Sequence, residues 1–491
     1  MRRMNRLIFG IGALAFWGVL ALGEPFSIDG IFDRNEIRNP DTLDTKTIVD
    51  WHPTPKEPTL IRKLVEITVC EWWPGQPVRI PVTFVVPKEG GPVENVLLIN
   101  MPLALNPARI TEPGLSLAKE KGVGLVMVGM GVIEAMVPAG ELHMGMRKRL
   151  LETKNPRYSP AWIWGMSQMR GLTAAVQEAE RFQPVKVIAS GGSKRGIGSA
   201  AAGIFDDRFT GIVPIVAPPM GNPGDPQVIG KQDEAIARIN ERFYRELKEG
   251  KLGLNPEIAV ALKDRSERGK MTRITVEQAQ AAGWSESDML RANDAVWDVS
   301  RMTGHRAKAG RKGLEFLYIM GTNDSVTPSL LKLGRQWPDF PLCIIPGGQH
   351  GGPRGADYTR RVTMQKETLA NLETFARYHF FGERTALQGP GIEHSWDAEE
   401  RQLTITARFA KGAKPESNDL WWSVNKSRPH TRYFEYDSWE SVPMKRIEGG
   451  LLEATIDVPE NARRIDFLST HTHTENGLPW HVSSPYLRFQ P

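Results

Sequence analysis

"VKVIASGGSKRGIGSAAAGIFDDRF", Val185 to Phe209, runs a β-branched apolar segment into Gly191-Gly192-Ser193 and on into a tract of Gly and Ala. A strand that ends in Gly-x-Ser-x-x-Gly and gives way to a helix is the setting of a nucleophile elbow. There the serine takes a strained backbone conformation that lifts its hydroxyl above the sheet. Small neighbours prevent collisions, and Gly191 and Gly196 suit that need. Gly198, Ser199 and Ala200 to Ala202 let the following helix approach the sheet closely. One departure is plain: Arg195 stands where such elbows carry a glycine two positions after the serine. The competing interpretation is a Gly-rich strand-to-helix turn that holds a phosphate, or only packs.

The helix N-terminus behind Ser193 offers free amides, notably that of Lys194, to a developing oxyanion. The Lys194 and Arg195 side chains would add positive charge for an anionic substrate or transition state. Two segments downstream complete a pattern. The strand-like "LEFLYIMG" leads into Thr322-Asn323-Asp324, and "PLCIIP" leads into Gly347-Gly348-Gln349-His350. Taken alone, Asp324 reads as a turn former and His350 as a loop histidine among glycines. Together they give the chain order Ser, Asp, His of α/β-hydrolases, each just past a strand's carboxyl end, where such sheets bind ligands. The expected roles are nucleophile for Ser193, general base for His350 and orienting acid for Asp324. A second oxyanion donor is expected after "ENVLLIN", among the amides near Met101 to Leu103.

Outward from this site, "KLVEITVCEWW" and "PVRIPVTFVVPKEG" read as paired strands after a polar, Pro-containing stretch from Asp41 to Pro58. "ENVLLIN", the helix-like "GLSLAKEKG" and the strand-like "VGLVMVGMG" follow. "SPAWIWGMSQMRGLTAAVQEAERF" is helical by period, with one apolar face. This alternation predicts a mostly parallel sheet covered on both faces. Met220 to Arg301 turns charged and helix-rich, and reads as a cap insertion over the sheet's carboxyl edge. The sheet resumes at "LEFLYIMGTND" and "FPLCIIPGGQH", and "TMQKETLANLETFARYHFFG" closes the unit as a helix. Beyond it come "QLTITARFA", "DLWWSVN", "TRYFEYD", "GLLEATIDVP", "RRIDFLSTHT" and "SPYLRFQ", short alternating strands that predict a β-sandwich. The expected division is a signal peptide at 1–23, an α/β-hydrolase domain at 24–388 with its cap at about 220–301, and an all-β sandwich domain at 389–491. The change of character falls near Gly389 to Trp396.

The N-terminus sets Arg2, Arg3 and Arg6 ahead of an uncharged apolar run from Leu7 to Leu22, with Ala21 and Gly23 before Glu24. That is the pattern of a secretory signal. The run is short for a membrane span, which takes about 20 apolar residues; left uncleaved, it would be the chain's one membrane attachment. An exported protein, periplasmic or secreted, is expected. The 491 residues are 40% hydrophobic and 24% charged, enough to bury a sizeable core, and the formal charge is only +5. With no long basic run, nucleic acid is excluded as the expected partner. The two cysteines, Cys70 and Cys343, give no disulfide framework and read as buried thiols. No zinc pattern of cysteines occurs, and neither metal nor cofactor is expected.

The segments "LETKNPRYSPAWIWGMSQMRGLTAAVQEA", "ASGGSKRG", "MGTNDSVTP" and "YDSWESVPM" resemble the PhoPQ-activated pathogenicity-related proteins, members of the α/β-hydrolase superfamily. The resemblance covers most of the mature chain, and Gly192-Ser193-Lys194-Arg195-Gly196 is its most specific motif. It implies a secreted or envelope protein without cofactor, a nucleophile at Ser193, an acid at Asp324 and a base at His350. The family would place two aromatics soon after the acid, whereas Ser325-Val326-Thr327 stand here. "AWIWGMSQ" and Gly-Gly-Ser-Lys are also similar to the glucuronoyl esterases, although Gly192 and Lys194 replace that family's cysteine and arginine around the serine.

Other features carry plainer readings. His471 and His473 in "STHTHTEN" share a face and suggest a metal pair or, more simply, a solvated strand end. His52, His143, His305 and His379 stand singly. Glu134 and Glu141 lie in a loop that would line a pocket or face solvent. Trp72-Trp73 and Trp421-Trp422 would stack on sugars or pack in a core. The leading expectation is a secreted serine hydrolase that cleaves an ester or amide through an acyl-enzyme, on a small-molecule, peptide or glycan-derived substrate. The rivals are a non-catalytic envelope or extracellular binding protein on the same fold, and an esterase for acidic-sugar esters.

Overall fold

In the computed structural model the described residues are 31–71, 75, 77–101, 110–129, 149–155, 158, 161–221, 249, 274–324, 326, 328–350, 361–386, 388–410, 413–426 and 438–491. Val- and Ile-rich runs build the central sheet: β1 (Lys46–Thr54), β2 (Glu57–Glu71), β3 (Pro77–Pro87), β4 (Val93–Met101), β5 (Gly124–Gly129), β6 (Phe182–Gly192), β7 (Gly211–Ile215), β8 (Glu315–Phe316), β9 (Tyr318–Asn323) and β10 (Leu342–Gln349). Their spatial order is β1-β2-β3-β5-β4-β6-β7-β9-β10, with the short β8 beside β7. β1 to β3 and the β3–β5 pair are antiparallel, and from β5 to β10 the sheet is parallel. Every residue of β5, β7 and β9 is buried, as a sheet covered on both faces requires. One apolar layer joins the sheet to α3 (Ala161–Gln177) and α4 (Lys194–Phe205). The other joins it to α2 (Gly114–Lys121) and α9 (Lys366–Phe381). The remaining described helices are α1 (Arg34–Arg38), α5 (Val276–Ala281), α6 (Glu286–Asp298), α7 (Arg306–Arg311) and α8 (Pro328–Gln336). This is the mostly parallel, helix-covered sheet of the α/β-hydrolase class, with separate antiparallel sheets at the C-terminus.

Two local expectations need correction. The polar stretch before Pro58 contains β1, an edge strand whose residues are mainly exposed, so it lacks the alternation that marks a half-buried strand. The α3 helix is not amphipathic: 162–175 are buried on every side. Several of its polar groups find distant partners. Arg170 donates to the carbonyls of Glu36 (2.8 Å), Ile37 (3.3 Å) and Asn39 (2.7 Å), and burial pulls its pKa down to about 10. Gln168 donates to the Arg195 carbonyl and to Ser199 Oγ, each at 3.0 Å. α3 thus underlies α4. At Gly198 an added Cβ would lie 2.6 Å from the Trp164 carbonyl oxygen, so only glycine permits that approach.

Of the charged insertion, 222–248 and 250–273 lie outside the described residues. Its last part forms α5, opened by a capping box of Thr275 and Gln278, and α6. Ile274, Ala279, Trp284 and Ala292 pack with Leu150 in a small core of their own, and Trp284 Nε1 donates to the Leu151 carbonyl (2.8 Å).

The C-terminal strands form two antiparallel sheets around a separate core: β11 (Gly391–Asp397), β12 (Gln402–Arg408), β16 (Leu452–Asp457) and β15 (Lys445–Arg446) in one, β14 (Glu440–Pro443), β13 (Ser417–Val424), β17 (Ile465–Glu475), β18 (Leu478–Ser483) and β19 (Leu487–Phe489) in the other. "GIEHSWD", expected at the changeover, is itself the edge strand β11, while "TRYFEYD" lies outside the described residues. β18 docks on α9 and β10. Asn371 exchanges two hydrogen bonds with the His481 backbone, and Ser483 Oγ accepts from the Ile344 amide at 2.7 Å.

His471 is not a solvated strand end. It is 1% exposed, held by Asn418 and Ser469 (2.8 Å each), and burial lowers its pKa to about 3. Trp421 packs against the main core and Trp422 against the sandwich core; Trp72-Trp73 lie outside the described residues. Cys70 and Cys343 are buried thiols in different apolar layers. Among the described residues no helix is long and apolar enough to cross a membrane; residues 1–30 are not among them.

Candidate active site

Ser193 sits between β6 and α4 with φ 60° and ψ −127°, a conformation that costs a non-glycine residue about 1–3 kcal/mol. The turn is held against the next strand, where the Ser193 amide donates to the Ile215 carbonyl at 2.9 Å. Val216, at the end of that strand, also has a positive φ of 47°. The departure at Arg195 has a local compensation. A Cβ on Gly191 would lie 2.6 Å from the Arg195 Cβ, so the glycine two residues before the serine makes room for the large residue two after it. Gly196 takes the close backbone approach instead: a Cβ there would meet the Ile215 carbonyl oxygen at 2.7 Å.

β9 and β10 are parallel neighbours, with Asn323 opposite Gln349, so the residues that follow each lie side by side. Asp324 follows β9 and His350 follows β10. His350 Nε2 is 2.6 Å from Ser193 Oγ, and its Nδ1 is 3.0 Å from each oxygen of Asp324. Hydroxyl, imidazole and carboxylate stand in series, drawn from positions 157 and 26 residues apart. Asp324 is fully buried, and its Oδ1 also accepts from the Val326 amide (3.0 Å), so its turn-forming role and its contact with the imidazole coexist. Thr322 Oγ1 accepts from the Gly347 amide at 2.7 Å, which ties the two strand ends together. Burial pulls the His350 pKa down, but the charge of Asp324 and its hydrogen bond more than offset this. With Lys194 and Arg195 opposing, the net shift is upward.

The first amides of α4 have no partner within the helix and face the serine end. Lys194 is its first residue; its ammonium lies 5.7 Å over the Trp164 ring. Trp164, in the "AWIWG" segment, is thus part of the serine's surroundings, although its sequence signal was that of a helix core. Met101 is the last residue of β4, paired with Gly129 of β5. Leu103, Glu134, Glu141 and His143 lie outside the described residues. Among the described residues no cluster of three or more His, Cys, Asp or Glu is placed to hold a metal. Lys426 and Trp439 also reach the Asp324 strand end; Trp439 belongs to the quoted segment "YDSWESVPM", which assigned it no place at the site, and no sequence pattern marked Lys426.

No family model matches the chain, and no curated protein matches it. Solved structures do. A glucuronoyl esterase from Solibacter usitatus aligns at 20% identity over 36% of this chain and 52% of its own, with a TM-score of 0.26, so the chain spans about half the length of that match. An acetyl xylan esterase from a Paenibacillus species aligns at 14% identity, 66% of this chain and 89% of its own, with a TM-score of 0.37. A carbohydrate esterase family 15 glucuronoyl esterase from Caldicellulosiruptor kristjansonii aligns at 11% identity, 70% of this chain and 81% of its own, with a TM-score of 0.33.

Proposed function

We propose that the protein is a serine hydrolase that cleaves an ester through an acyl-enzyme. The observation that carries this reading is the unbroken series Ser193 Oγ, His350, Asp324 at 2.6 and 3.0 Å, with the serine in a strained turn ahead of a helix. In the first step Ser193 Oγ attacks the ester carbonyl carbon while His350 Nε2 takes its proton. Asp324 keeps Nδ1 protonated and stabilises the imidazolium. The Lys194 amide receives the oxyanion, aided by a second donor from the segment after Met101. His350 then protonates the departing alcohol, and water repeats the sequence to release the acid. No cofactor is required for this chemistry.

Treatment with a fluorophosphonate probe tests the reading. The parent protein should be labelled on Ser193, and Ser193→Ala should be inert. Equal labelling of the two, or none of either, would favour the binding-protein rival. Hydrolysis of p-nitrophenyl acetate gives the same comparison by rate.

A second, narrower reading rests on Lys194 and Arg195, two cations beside the serine whose charge acts on His350. They favour an ester of an acidic sugar over a neutral one. A preference for an acetyl ester of glucuronic acid, whose carboxylate stays free, over the matching acetyl ester of glucose, lost in Lys194→Met, is the expected result. The quoted motif residues support a place among the PhoPQ-activated pathogenicity-related proteins. The basic-then-apolar N-terminus supports export, with a mature chain that begins after Gly23; the mass of protein recovered outside the cytoplasm tests this.

A further inference from the structure

Lys426, just past β13 of the C-terminal unit, is 1% exposed, yet its ammonium lies inside the α/β unit. Its Nζ donates to the Thr322 carbonyl (2.9 Å) and to Asn323 Oδ1 (3.0 Å), the two residues that directly precede Asp324. Asn323 Oδ1 also accepts from Trp439 Nε1 (3.3 Å), and the ammonium stands 5.6 Å over the Trp439 ring. Trp439 leans on Tyr486 at 6.0 Å, whose hydroxyl donates to the buried Asp466 (2.9 Å). Asp466 in turn holds Arg488. A continuous path of contacts thus runs from within the sandwich sheets to the strand end that bears the acid.

A buried ammonium is costly to desolvate, and an apolar side chain of like length would fill the space without that cost. What the ammonium adds is direction: two bonds that fix a carbonyl and an amide on consecutive residues. Thr322 passes the constraint on, because its hydroxyl receives the Gly347 amide in the irregular last part of β10 that leads to His350.

We infer that Lys426, backed by Trp439, is a positioning residue for the hydroxyl–imidazole–carboxylate series, so that the C-terminal β-unit is a working part of the site. This rests on the serine-hydrolase reading above. The full-length protein with p-nitrophenyl acetate and the fluorophosphonate probe is the test. Lys426→Met should lower kcat by about 10- to 100-fold with KM within about 2-fold of the parent, the pattern of misaligned groups. Trp439→Phe, which keeps the ring and removes one donor, should lower kcat by about 2- to 5-fold. Ser483→Ala weakens the same junction away from Asp324, and should lower the unfolding temperature while kcat stays put. Parent-like kcat in Lys426→Met overturns the inference, as does a loss of kcat in Ser483→Ala equal to that of Lys426→Met. If Lys426→Met does not fold, Trp439→Phe decides: unchanged kcat overturns, reduced kcat at constant KM supports. A parent protein that the probe does not label on Ser193 sinks the hydrolase reading and this inference with it. A labelled parent with an equally fast Lys426→Met sinks only the inference.

Discussion

Among the described residues the same three-group series occurs twice, at opposite ends of one sheet. Ser193, His350 and Asp324 meet past the carboxyl ends of β6, β10 and β9. Thr210, His379 and Glu315 meet near the amino ends of β7 and β8: Thr210 Oγ1 is 2.7 Å from His379 Nε2, and His379 Nδ1 is 2.5 Å from Glu315 Oε2. By distance alone the two are equivalent. The surroundings separate them. Thr210 Oγ1 already accepts from the Val187 amide (3.0 Å) and touches the Val187 carbonyl (3.3 Å), so its lone pairs are committed to the sheet. Ser193 Oγ sits on a turn with φ 60°, ahead of the N-terminal end of α4. The His379 side chain is 6% exposed and stacks on Phe375, whereas that of His350 is 32% exposed and reachable. The lesson is that such a series is defined less by its own bonds than by an uncommitted oxygen, amides nearby and an approach for substrate. The amino-edge series is a fastener that joins α9 to the sheet, with Tyr378 donating to the same Glu315 (2.6 Å).

Substitution at matched positions is the strongest way to break this contrast. Ser193→Ala should cost at least about 1,000-fold in kcat, because in the proposed mechanism nucleophile, base and acid act as a unit. Thr210→Val should leave kcat within about 2-fold, since a fastener takes no part in the chemistry. Next in size, Asp324→Asn should cost about 1,000-fold or more, because an amide next to Nδ1 favours the wrong tautomer. Glu315→Gln should again be near neutral for rate. Steady-state kinetics on one ester substrate checks all four, and a large loss in either amino-edge variant would erase the distinction. Stability reverses the order. Thr210→Val leaves the Val187 amide without its partner and should cost about 1–3 kcal/mol in a denaturant melt, while Ser193→Ala keeps the same strained backbone, removes only the hydroxyl and should cost less.

How much of this was readable in the chain follows from how local each signal is. The elbow was legible because a β-branched run, Gly191-Gly192-Ser193 and a Gly/Ala tract are contiguous. Asp324 and His350 were legible because each ends an apolar run that stops at turn formers. Lys426 was not, since its partners lie 104 and 103 residues away and no pattern around it differs from a strand end. The full burial of α3 was hidden by Ser167, Gln168, Arg170 and Thr173, which look like a polar face until the Ile163 carbonyl is seen to take Ser167 and the distant partners of the other three are known. β1 was missed because an exposed edge strand has no buried face to impose alternation. His379 looked solitary because Thr210 and Glu315 come to it from separate strands.

The pH response gives the smallest effects and sharpens the contrast by sign. His350 is held above its ordinary value of 6.5 against the pull of burial, by Asp324. In the proposed mechanism its neutral form accepts the serine proton, so kcat/KM should fall as pH drops through a point above 6.5. Stability runs the other way. A raised pKa means that the folded protein binds this proton more tightly than the unfolded chain does. The contribution is complete below the unfolded value and fades as pH rises through the folded one. Glu315 is the mirror case: burial raises its pKa, but the His379 and Tyr378 hydrogen bonds hold it below the ordinary 4.5. Its contribution is present above that value and fades as pH falls through the folded one. Both contributions are therefore complete between about 4.5 and 6.5, on the acid side of the activity limb. Unfolding temperature and kcat/KM measured across one pH series should show that offset. Lys194→Met removes a charge that opposes the His350 shift and should carry the activity limb upward, with the stability profile below pH 5 unchanged. A limb that moves down would mean that the Lys194 charge does not oppose the shift, and a parent limb at or below 6.5 would mean that Asp324 does not govern His350.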